Sequence, residues 1–178
     1  EAPTEAPTEA PTEAPTEAPT EAPTEAPTEA PTTAPVDSLH IYKDGLQSNF
    51  QDWSWGEHNL NDVSVLQSGS TKSISFTPKN WGALFLGCNK CIDADKYKSI
   101  EFYINGGQQG GQTVELAMVK NSAKTGTSKS VSVPANTWTK VSATFAELGV
   151  NGQCDGLWIQ DTKGDQSTLY VDSIRVVA

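Results

Sequence analysis

The chain opens with the tetrapeptide Glu-Ala-Pro-Thr written eight times without interruption, from Glu1 to Thr32. No other feature narrows its folding options as sharply. A proline in every repeat fixes φ near about −65° and removes a backbone donor, and it pushes the alanine before it out of the α region. The repeat has no apolar face, so neither helix nor sheet could offset the entropy of ordering it. The regular form left is polyproline II, with about 3 residues per turn and a rise of about 3.1 Å, which lets the arm reach about 100 Å. A four-residue repeat on such a helix steps successive threonines by roughly one third of a turn, so hydroxyls and glutamates decorate the whole circumference. Threonine beside proline in a repeated segment is the composition of an O-glycosylated, mucin-like stalk. The expected acceptors are Thr4, Thr8, Thr12, Thr16, Thr20, Thr24, Thr28 and Thr32. A semi-rigid acidic spacer without sugar is the plainer alternative.

The arm takes residues 1–36, and residues 37–178 read as one domain of ordinary size. The net charge of −10 belongs mostly to the arm, whose eight glutamates supply eight of the charges. The domain holds 14 acidic and 12 basic side chains, a balance of −2 with no basic run, which argues against a nucleic-acid partner. No stretch approaches the length of apolar sequence that a membrane span needs. No signal peptide opens the chain, and a start inside a repeat reads as a trimmed, mature, secreted product.

The three cysteines are Cys88, Cys91 and Cys154. A redox Cys-x-x-Cys would sit in a βαβ setting, and a zinc site would want a second pair. A disulfide in an exported domain is the better reading. Cys88–Cys91 is the local pairing; either could instead reach Cys154, and the odd thiol could link two chains.

From residue 37 onward the pattern is alternation, with β-branched residues and frequent turn clusters. Expected strands cover 40–43, 52–57, 63–67, 73–77, 83–87, 99–104, 113–119, 130–133, 140–145, 157–160 and 168–177. Their spacing predicts an all-β fold, an antiparallel β-sandwich. The acidic loop 93–96 is expected to join the two halves of the sandwich. Residues 145–149 are expected to form a corner between sheets or a short helical turn.

The order of residues then carries a family likeness. His40-Ile41-Tyr42-Lys43-Asp44-Gly45 leads to Asp52-Trp53-Ser54-Trp55-Gly56, then to Tyr97-Lys98-Ser99-Ile100-Glu101-Phe102-Tyr103-Ile104 and Trp138-Thr139-Lys140-Val141, and closes with Leu169-Tyr170-Val171-Asp172-Ser173-Ile174. This resembles the galactose-binding-like jelly rolls found as carbohydrate-binding modules on secreted polysaccharide-active proteins. The resemblance implies a two-sheet jelly roll whose first and last strands lie together, and a structural calcium near those strands. Carried onto this chain, the metal ligands would be Asp44 and Asp172, with backbone carbonyls completing the oxygens that calcium requires. Asp155, Asp161 and Asp165 read as surface charges.

Pyranose rings stack on flat aromatics while their hydroxyls need amide and carboxylate partners. At strand spacing Trp53 and Trp55 share a face. Trp81 follows Pro78-Lys79-Asn80 in a loop setting and is expected to be exposed, whereas Trp138 and Trp158 are expected in the core. The candidate sugar contacts are therefore Trp81, Asn80 and Trp55, with Gln108, Gln109, Gln112 and Gln160 as further polar partners. Neither histidine, His40 or His58, has triad or metal spacing, and no carboxylate pair is marked as catalytic, so a non-enzymatic role is expected. Two roles follow. The first is a secreted structural glycoprotein, its chains self-assembling into an extracellular, glycan-coated fibre. The second is a carbohydrate-binding module on an O-glycosylated spacer, directed at a polysaccharide.

Overall fold

The computed structural model describes residues 37–47 and 49–178. The expectations for the arm, including its eight threonines, lie outside the described residues. The rest is an all-β jelly-roll sandwich of eleven strands: β1 Ser38–Tyr42, β2 Gln51–Asp52, β3 Glu57–Asp62, β4 Ser73–Thr77, β5 Ala83–Asp93, β6 Ser99–Asn105, β7 Gln112–Lys120, β8 Ala123–Val133, β9 Thr139–Thr144, β10 Gln153–Asp161 and β11 Leu169–Val177. Sheet A has the order β3-β4-β11-β6-β9, with β1 also paired to β11. Sheet B has the order β2-β5-β10-β7-β8. Every pairing is antiparallel.

Alternation builds the core. Ile100, Phe102 and Ile104 of β6 and Val114, Leu116 and Met118 of β7 are fully buried, facing the opposite sheet as period-2 side chains must. The first and last strands do lie together, Ser38 opposite Val177. β11 pairs with β4 through Leu169–Val171 and with β1 through Ile174–Val177. Asp172 and Ser173 lie at the junction between these two partners, where the register with β6 also shifts.

Loop 93–96 carries the chain from β5 in sheet B to β6 in sheet A, and turn 145–149 carries it back from β9 to β10. Two expected strands are corrected. Residues 63–67 form a loop, and the strand before β4 is Glu57–Asp62. Residues 53–56 are not in a regular strand either. β2 belongs to sheet B and β3 to sheet A, so this segment is the crossing between sheets. It still bonds to the edge of β5, Trp53 N–H donating to the Phe85 carbonyl at 2.9 Å and Trp55 N–H to the Ala83 carbonyl at 3.1 Å.

Cys88 and Cys91 form the disulfide, and Cys154 is a buried free thiol. The bridge closes a bulge in β5. Gly87 faces Gly156 and Ile92 faces Cys154, so residues 88–91 all stand against Asp155 alone. Asp155 holds that bulge, accepting from the Lys90 N–H at 3.2 Å.

Candidate functional site

Trp158 lies between Leu157 and Ile159 of β10, which are fully buried. Alternation turns it to the outer face of sheet B, where it stands opposite Phe85 of β5. The expectation that it packs in the core is thus corrected. Phe85 and Trp158 meet edge to face with centroids 5.7 Å apart. The crossing segment lays two more rings over them. Trp53 reaches Phe85 at 5.2 Å and 72°, and Trp55 reaches Trp158 at 5.3 Å and 90°. Such edge-to-face contacts each contribute roughly 0.5–1.5 kcal/mol beyond area burial, so the rings brace one another. Phe85 is buried beneath, while Trp53 and Trp55 stay 42% and 50% exposed.

Trp81 completes the surface at 63% exposure. It and Asn80 both have left-handed backbones, φ +62° and +51°, a conformation costing roughly 1–2 kcal/mol per non-glycine residue. The surroundings over-determine that strain. The Trp81 carbonyl accepts from Trp55 Nε1 at 3.0 Å and from Gln160 Nε2 at 3.1 Å. The Trp81 N–H donates to Asp161 Oδ2 at 3.2 Å. Asp161 is fully buried, not a surface charge, and its carboxylate also accepts from Lys163, Gly164 and Gln166. Burial opposes its ionisation, yet these hydrogen bonds outweigh that and hold its pKa below the usual range.

The crossing segment has its own clamp. Asp52 Oδ2 lies 2.7 Å from His58 Nε2, and the Gly56 carbonyl lies 2.7 Å from His58 Nδ1. Both ring nitrogens face acceptors, so the imidazolium satisfies both. Burial works against that charge, but Gly56 and Asp52 prevail and raise the His58 pKa. This is a structural clamp beneath the tryptophans.

Of the expected sugar contacts, Trp55 is joined to Trp81 through the Trp81 carbonyl, Asn80 is the exposed residue before Trp81, and Trp53 joins Trp55 over the base of Trp158 and Phe85. Gln160 is used in supporting Trp81, and Gln112 is buried at 2% exposure at the start of β7, donating to the Gly106 carbonyl. Gln108 and Gln109 lie in the β6–β7 loop, where they line a hollow with Tyr170. Trp138, expected in the core, is instead half-buried and lines a hollow with Tyr170.

Of the expected calcium ligands, Asp172 lies at the junction in β11 and Asp44 in the turn that follows β1. Asp172 is fully buried, its Oδ2 without a hydrogen-bond partner among the described residues, while Oδ1 accepts from the Ser173 N–H at 2.5 Å. Burial raises its pKa, and the neighbouring charge of Asp44 raises it further. Asp44 accepts from the Thr71 and Lys72 amides, which lower its own pKa. Two carboxylates close enough to repel, one with an orphaned oxygen, are suited to a hard cation. No cluster of three or more acidic, histidine or cysteine side chains is present among the described residues, so carbonyl and hydroxyl oxygens would have to supply the remaining ligands.

No family model matches the chain. It is 52% identical over 151 residues to an endoglucanase of Dictyostelium discoideum. That alignment covers 80% of this chain and 21% of the relative, so the chain spans about a fifth of the length of the curated relative it matches. Among solved structures it resembles family 29 carbohydrate-binding modules. One, a variant complexed with mannohexaose, has a TM-score of 0.59 at 15% identity, over 81% of this chain and 93% of that one. Another variant, complexed with cellulohexaose, gives 0.57 at 15%, over 80% and 91%. A module from Piromyces equi gives 0.57 at 16%, over 81% and 91%. At this identity the likeness shows the fold, a carbohydrate-binding-module type of β-sandwich.

Proposed function

We propose that residues 37–178 form a non-catalytic module that binds a neutral polysaccharide chain along Trp53, Trp55 and Trp81. One observation carries the reading: the exposed indoles of Trp53 and Trp55 are braced from beneath by Phe85 and Trp158, and exposed Trp81 is tied to them through its backbone, which accepts from Trp55 Nε1 and donates to Asp161. Exposed aromatics held this firmly lose little entropy on binding. The likeness to modules crystallised with hexasaccharides and the relation to a segment of an endoglucanase support a β-linked glucan or mannan as the ligand. In this reading the module is extracellular, and it concentrates the rest of the protein on its substrate. The Glu-Ala-Pro-Thr arm serves as a spacer O-glycosylated on its threonines. Nothing among the described residues supports the fibre, and the carbohydrate-binding reading takes its place. Calcium held by Asp44 and Asp172 would be structural, neutralising the buried pair.

Affinity electrophoresis through gels containing glucan or mannan tests the assignment. The native protein should be retarded by one of them. Trp55→Ala should weaken binding about thirtyfold, the scale of losing an anchor worth about 2 kcal/mol, with a modest fall in melting temperature from the lost contacts to Trp158 and Trp81 and the fold retained. Full retention of affinity by the Trp53→Ala, Trp55→Ala and Trp81→Ala variants alike would overturn the site.

A further inference from the structure

Two hollows open on the sheet A side of the sandwich, across the turn 78–82 from the tryptophans. One, of about 520 Å³, is lined by Leu66, Asn105, Asn136 and Trp138 among others. The second, of about 380 Å³, is lined by Lys79, Gln109, Gln166 and Ser167. Gly107, Gln108 and Tyr170 line both, so the two are one groove with Tyr170 standing at its middle. The turn 78–82, which leads from β4 to β5, separates it from the platform: Lys79 lines the groove while Trp81 belongs to the other surface.

The groove is built on fixed loops. Gln112 Nε2 donates to the Gly106 carbonyl at 2.9 Å and to Ser167 Oγ at 2.7 Å, tying the β6–β7 loop to the β10–β11 loop. Gly107 donates to Asn105 Oδ1 at 2.8 Å and accepts from the Asn136 N–H at 2.7 Å. With φ +60° and a Cβ position only 3.2 Å from the Tyr170 ring, Gly107 is where a side chain would both strain the backbone and crowd that ring. Tyr170 is therefore packed on one face and positioned.

The lining chemistry is specific. Two half-exposed aromatic rings and Leu66, 40% exposed, alternate with the amides of Gln108, Gln109 and Asn136, which make no side-chain hydrogen bond among the described residues. Lys79 is the one charged residue lining the groove, and its ammonium lies 3.7 Å from Glu57. An uncharged, hydroxyl-rich ligand with flat apolar faces matches these walls, and an anionic or strongly basic one does not. We propose that this groove is a second glycan-binding site, taking a neutral oligosaccharide across Tyr170 and Trp138 with Gln108 as its central hydrogen-bonding group. The proposal rests on the carbohydrate-binding reading for its ligand class but not on the tryptophan platform for its location. Two sites on separate surfaces would let one module bridge two polysaccharide chains and gain avidity from both.

The test is a titration of the full chain, labelled with nitrogen-15, by cellulohexaose and by mannohexaose, following the assigned indole N–H signals. In the native protein the Trp138 signal should move along with those of Trp55 and Trp81, and calorimetry should find two oligosaccharides per chain. In the Trp53→Ala/Trp55→Ala variant the Trp138 shift should persist with an affinity within about twofold of its native value. Gln108→Ala with Trp138→Ala should reduce the stoichiometry to one. Shifts confined to the platform indoles overturn the second site and leave the platform standing. A Trp138 shift alone upholds the groove and removes the platform. Silence from every indole with both sugars sinks the two together. Response to a synthetic Glu-Ala-Pro-Thr peptide but to neither sugar would assign the groove to polypeptide and overturn the proposal.

Discussion

His58 sits between two acceptors that only its doubly protonated ring can satisfy, and this gives the crossing segment a pH signature. Its folded pKa is raised, so its contribution is complete below the unfolded value of about 6.5 and is lost as pH rises through the higher folded value. Asp52 is lowered, its hydrogen bonds to Ser54 and His58 outweighing burial, so its share is lost only as pH falls through that depressed value. Glycan affinity should therefore fall as pH is raised from about 6 to about 9, and His58→Gln should flatten the profile. Affinity that stays level while the His58 resonance titrates would disconnect the clamp from binding. Gly87 offers a second residue-scale check. A methyl group there would overlap the Trp53 ring, with no unusual φ to add backbone strain. Gly87→Ala should displace Trp53 and weaken glycan binding several-fold, and an indole signal for Trp53 that does not move would show the ring was never seated there. Of these residues, the exposure of Trp81 was legible from its loop setting, whereas strand spacing paired Trp53 with Trp55 on a segment that is not a strand. Trp158 was not legible, because the resembling sandwiches more often bury a tryptophan at that position. The signal was present in its flanking Leu157 and Ile159, which claim the inner face and leave only the outer one.

Among the elements, the strands with clean alternation, β4, β6, β7 and β9, could be read nearly to their ends, because one face of each is fully buried. The crossing at 53–56 could not. Its tryptophans have the composition of a strand, and the backbone does bond to β5, but the chain is leaving one sheet for the other. The same limit applies to residues 63–67, whose apolar Val63 and Leu66 are exposed. The break in β11 was foreshadowed only through Asp172, and that junction carries the calcium proposal. Calcium should raise the melting temperature of the native protein by several degrees, as selective binding to the folded state requires, and EDTA should reverse it. Asp172→Asn should abolish the increment; an equal increment in that variant would place the ion elsewhere. The bulge in β5 makes a separate forecast. A bridge closing so short a loop removes little chain entropy, roughly 2 kcal/mol, so reducing Cys88–Cys91 should lower the melting temperature modestly and leave the module folded. Wholesale unfolding on reduction would mean the disulfide holds more than its bulge.

At the scale of the whole molecule, charge and binding chemistry are divided between two segments. Eight of the ten net negative charges lie in the repeat, while the surfaces proposed to meet sugar are nearly uncharged. A neutral oligosaccharide offers no net charge for the acidic repeat to attract or repel. Removal of residues 1–36 should then leave hexasaccharide affinity within about twofold of the full chain, and the fragment's melting temperature should be unchanged. The full chain made in a secreting host should carry sugar mass that the fragment lacks, and masses matching the bare polypeptide would remove the glycosylated spacer. Sedimentation of the full chain over a wide concentration range then separates the two roles. A module that works alone stays monomeric without polysaccharide and associates only when a long glucan or mannan bridges its two faces. Self-association without glycan, abolished by deleting the repeat, would instead restore the fibre and make the sandwich its joint.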